Sequence, residues 1–70
     1  MYTAEEITDF LIACSEIANA GGKYRAGIIA ARRLLKRHRK EDILAAAFSI
    51  KRRLDYDFIR GIKRGLNLYA

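Results

Sequence analysis

Apolar residues recur every three or four positions along most of the chain, the period of a helix with one buried face. In the first stretch Ile7, Phe10, Leu11, Cys14, Ile17 and Ala18 fall on one side, and Glu5, Asp9 and Glu16 on the other. Thr3-Ala4-Glu5-Glu6 has the capping-box spacing, in which a hydroxyl and a carboxylate satisfy first-turn amides. The Gly21-Gly22 pair is a stop signal, so a helix is predicted over 4–20. A second helix is predicted over 23–39, with Tyr24, Ile28, Ala31 and Leu35 as its core stripe. Lys40-Glu41-Asp42 marks a break at which two acids open the next helix. That third helix, over 41–53, is expected to bury Ile43, Leu44, Ala47, Phe48, Ile50 and Leu54. Asp55-Tyr56-Asp57 reads as a turn and new cap, leading into a fourth helix over 57–69. There Phe58, Ile59, Ile62, Leu66 and Tyr69 face inward. No glycine or proline forces the break at 55, so one continuous helix over 41–69 is the alternative.

Composition agrees with an all-helical chain. Proline is absent, Ala, Ile, Leu, Arg and Lys dominate, and β-branched residues do not alternate in runs. The expected fold is an all-α single domain over 1–70, with three to four helices arranged as two helical hairpins packed into a compact bundle. A chain of 70 residues buries only about 60% of its unfolded surface, so its core is small. Stability must then come from close helix packing or from self-association into a homodimer. An offset of 34 residues pairs Tyr24 with Phe58, Gly27 with Gly61, Ile28 with Ile62, Ala31 with Gly65 and Leu34 with Leu68. Such a repeat describes a close helix approach at small residues beside an aromatic anchor. The block Gly22-Lys23-Tyr24-Arg25-Ala26-Gly27 resembles the hairpin corner of tetratricopeptide repeats, whose period the offset fits. That resemblance implies hairpin geometry and carries no function.

Charge is distributed in a steep step. Residues 1–22 carry four acids and no base, whereas residues 23–40 carry eight Lys/Arg and no acid. The net charge of the whole is +6, and the step points to an acidic partner. Arg25, Arg32, Arg33, Lys36, Arg37, Arg39 and Lys40 are the candidate contacts, and five of the seven are arginine, whose planar fork suits phosphate or carboxylate. Within these, Arg25, Arg32, Lys36 and Arg39 are expected to share one outward stripe of a helix over 23–39. Arg52, Arg53, Arg60, Lys63 and Arg64 are possible secondary basic contacts. His38 reads as an exposed polar residue that joins the patch when protonated.

The chemical inventory is otherwise short. Cys14 is the only cysteine and lies on an apolar stripe, so no internal disulfide is possible and the thiol reads as a small core residue. Cys14 and His38 lie on different predicted helices, so no metal cluster, cofactor or catalytic pair is expected. Glu5/Asp9 and Asp55/Asp57 are better explained as a solvated face and a cap than as catalytic carboxylates, and an enzyme is not expected. The start is acidic, unlike a signal peptide, and no apolar run approaches the roughly 18 residues that would span a bilayer. The expectation is a cytoplasmic protein without a membrane partner.

The bases cluster late in the predicted second helix, away from the N-terminal end at which a helix-turn-helix reads bases. Contact with the phosphate backbone of DNA or RNA is therefore favoured over sequence reading. The expected function is a small non-enzymatic nucleic-acid-binding regulatory or accessory protein. The alternative is an adaptor or inhibitor that docks an acidic protein surface. Ile12, set between Asp9 and Glu16 on the acidic side of the first helix, would be its interface anchor.

Overall fold

The computed structural model describes residues 4–18 and 22–67. Within them the order is α1 (Ala4–Ile17), α2 (Lys23–Leu34), α3 (Lys40–Ser49), a 3-10 turn (Lys51–Arg53) and α4 (Tyr56–Gly65), without strands. The break near 55 is therefore present: Leu54 and Asp55 are extended, and Asp55 stands at the N-cap of α4. Thr3, Gly21, Leu68 and Tyr69 lie outside the described residues.

The second helix is shorter than its periodicity predicts. It ends at Leu34 instead of 39, where the Lys36 and Arg37 amides fold back on the Arg33 and Leu34 carbonyls at 3.3 and 3.0 Å. The His38 amide then donates to the Leu34 carbonyl at 2.8 Å, and Arg39 is extended. The physical reason is tertiary. Leu34 and Ile43 are both buried in the same core, and a straight helix through Arg39 would carry the chain away from it. Glu41 and Asp42 occupy the first turn of α3, where carboxylates favour a fresh helix start.

The buried set is Ile7 and Leu11 from α1, Ala30, Ala31 and Leu34 from α2, Ile43, Ala46 and Ala47 from α3, and Leu54, Phe58, Ile62 and Leu66. Fully burying a side chain such as Phe58 or Ile62 contributes about 1.5–3 kcal/mol. The inward face of α2 is turned by one residue from the predicted stripe, roughly 100° of helix. Leu34 is buried and Leu35 exposed, while Tyr24 and Ile28 are half-buried. Ile17 and Phe48, expected inside, are exposed.

The turn of α2 follows from its main partner, which is α4. A methyl on Gly27 would fall on the Phe58 carbonyl and 3.0 Å from the Gly61 Cα. A methyl on Gly61 would fall on the Tyr24 carbonyl and 3.1 Å from the Gly27 Cα. Each glycine thus turns a Cα hydrogen toward a carbonyl of the other helix, a weak contact open only to glycine. One turn further on, a methyl on Gly65 would come 2.8 Å from the Ala31 Cβ. These pairs advance together along both helices, so α2 and α4 run parallel and are related by a local pseudo-two-fold. The 34-residue offset is therefore realised as two copies crossing face to face, not as successive stacked hairpins. Gly27-x-x-x-Ala31 and Gly61-x-x-x-Gly65 supply the small-residue pattern that lets backbones approach.

Across this pair, α1 packs on α2 and α3. Lys23 fixes the junction: its Nζ donates to the Ser15 carbonyl of α1 and pairs with Asp55 Oδ2 at 3.2 Å. One lysine thus ties α1, the start of α2 and the start of α4. No helix among the described residues is long and apolar enough to cross a membrane.

Candidate functional site

Because α2 stops at Leu34, the basic tract is folded into a corner. Arg32 and Arg33 occupy the last turn of α2, Lys36 and Arg37 the connecting turn, Arg39 the N-cap of α3 and Lys40 its first residue. All six are exposed. Arg39 Nε approaches Asp42 Oδ2 at 3.7 Å, while the other five make no ion pair among the described residues. The expected outward stripe is corrected. Arg25 and Arg32 share the outer side of α2, but Lys36 and Arg39 lie beyond its end and cannot continue that line. Arg25 is exposed near the N-terminal end of α2, apart from the corner.

Two local fields act on this corner. The last carbonyls of α2 are partially negative and favour cations beside them, which accounts for part of the tract. Six cations exceed what one helix end requires. The surplus potential is directed outward, where it is available to an anion and screened by salt.

Arg33 also reaches toward α1. With Cys14, Ala18, Ala26, Ile29 and Ala30 it lines an apolar groove between α1 and α2. Burial pushes the Cys14 thiol above its ordinary value of 9.0, and the Arg33 guanidinium pulls it partly back. His38 is half-buried, not exposed as expected. It shares a cavity with Glu6, Phe10, Arg33, Leu34 and Arg37, because the fold-back after Leu34 brings it under α1. Ile12 is half-buried as well, and the most exposed large apolar residue of α1 is Ile17, at 82%.

The secondary bases are dispersed. Arg52 and Arg53 are exposed in the 3-10 turn, and Lys63 and Arg64 in the last turn of α4. Arg60 is held by its own helix and by α2: Nη1 lies 3.4 Å from Asp57 Oδ1, and the guanidinium sits 6.0 Å from the Tyr56 ring and 5.2 Å from the Tyr24 ring of α2.

Sequence reasoning missed one surface. Phe48 and Tyr56 are 67% and 76% exposed, and both border a groove between α3 and α4 with Leu44, Ala47, Ile59 and Ile62. Lys51 lies over the Phe48 ring with Nζ 4.3 Å from the centroid. A lysine three residues after an aromatic on a helix marks a solvent-facing side, and this was the available signal. Among the described residues no group of three or more His, Cys, Asp or Glu could hold a metal ion. Comparison with family models, with curated proteins and with solved structures finds no match to this chain.

Proposed function

We infer that this is a small non-enzymatic protein that binds the phosphate backbone of nucleic acid through the α2–α3 corner, in a regulatory or accessory role. The observation that carries this reading is the corner itself: six exposed cations in nine residues, five of them without an ion pair among the described residues. Arginine predominates there, and its fork matches phosphate oxygens in pairs. Four of the six bases lie in the last turn of α2 and the connecting turn, and only Arg39 and Lys40 stand at the start of α3, which favours backbone contact over base reading in the major groove.

The test compares binding of one labelled duplex by two paired-neutralisation variants. Arg32→Gln with Lys36→Gln weakens binding at all sequences alike, whereas Arg52→Gln with Arg53→Gln has a smaller effect. Equal loss from both pairs would mean that general charge, not the corner, drives association.

A further inference from the structure

We propose that the groove between α3 and α4 is a stacking surface for unpaired bases, so that the preferred ligand is single-stranded nucleic acid. This rests on the nucleic-acid reading above and adds the ligand class to it. The floor is apolar, formed by Leu44, Ala47, Ile59 and Ile62, and Phe48 and Tyr56 stand at its rim with most of their surface in solvent. Its volume is 230 Å³, below the roughly 300–1,000 Å³ of cavities that enclose small molecules. A shallow aromatic trough of this kind suits one face of a larger, planar ligand.

Charge selects among such ligands. Lys51 and Lys63 both line the groove, and among the described residues no carboxylate does. Lys40, Leu44 and Phe48 fall on one side of α3 by helical spacing, and Lys51 follows in the 3-10 turn with its Nζ over the Phe48 ring. The groove therefore runs on from the basic corner, and Lys40 to Phe48 spans about 12 Å of helix axis. A strand laid along this line has phosphates met by cations at both ends and bases set over Phe48 and Tyr56. Base–aromatic stacking tolerates any sequence because every base has a π face. Duplex DNA keeps its bases stacked internally and cannot use the trough. An acidic peptide could meet the lysines, but the exposed rings favour a flat partner over aliphatic side chains.

The experiment measures fluorescence anisotropy of a labelled oligothymidylate and of a labelled duplex, with circular dichroism as the check on folding. Wild type prefers the single strand, and Phe48→Ala and Tyr56→Ala each weaken it by about fivefold or more while leaving duplex binding unchanged. Tyr56→Phe retains wild-type affinity, because the ring and not the hydroxyl stacks. If single strand and duplex bind alike and neither alanine variant matters, while neutralising Arg32 and Lys36 does, the stacking surface is overturned and the corner stands. If no nucleic acid binds even at low salt, both fall together. Loss of self-association or of acidic-peptide binding in the alanine variants, with oligothymidylate affinity intact, would likewise overturn the proposal.

Discussion

Alanine in place of Gly27 or Gly61 would put a methyl onto a carbonyl of the opposite helix. In an ordinary helix interior the same change stabilises by about 0.5–1 kcal/mol. Here the clash is with backbone, which cannot rotate aside, so the sign reverses. Each substitution should destabilise by about 1–3 kcal/mol or more, read from urea or thermal unfolding. Lys23→Met removes the charge-assisted link to Ser15 and Asp55 and should cost about 1 kcal/mol, little changed by adding Asp55→Asn. For Cys14 the raised thiol pKa has two consequences. At pH 8 alkylation should be slower than for a free cysteine, and Arg33→Gln should slow it further by removing the cation that favours thiolate. The folded state holds the neutral thiol. Its contribution to stability is therefore complete below pH 9.0, the ordinary value, and is lost as pH rises through the raised folded value.

Between elements, the parallel crossing of α2 and α4 is the closest approach in the fold. Amide exchange should accordingly be slowest in residues 27–31 and 61–65, and a faster rate there than in α1 would contradict that hierarchy. Helix order and the break at 55 were legible because caps and apolar period agree at those points. The end of α2 was not. Lys, Arg and His at 36–40 continue a helical pattern as well as they make a turn, and the stop is imposed by two buried residues, Leu34 and Ile43, on either side of it. Its inward face was misread for a related reason. Leu34 and Leu35 offer two stripes, and the choice is made by Gly27, Ala30 and Ala31, small residues whose value is closeness and not hydrophobicity. The 34-residue offset carried that information, although as a crossing and not as a hairpin. At the site, the bases themselves were legible as charge, but their division into a corner and a separate Arg25 followed from the helix end. Phe48 was expected inside from the apolar period, and it lies outside because Ala46 and Ala47 beside it fill that side of the core.

For the whole molecule, the charge step is resolved in space. Lys23 pairs with Asp55 and Arg39 with Asp42, and both acids lie beyond α1, while Glu6 of α1 borders the cavity it shares with Arg33, Arg37 and His38. The excess therefore faces outward at one corner of a body with principal extents of 34 × 24 × 20 Å, and the aromatic groove extends from that corner along α3. A binder of this design engages several phosphates at once and releases their counterions, so its affinity is set by ionic strength. The direct measurement is the affinity for generic duplex DNA across a salt series. With about five phosphates engaged, the slope of log K against log salt should be near −4.5, falling in size by about 0.9 for each corner base neutralised. A flat salt dependence, or no detectable binding at low salt, would contradict the account.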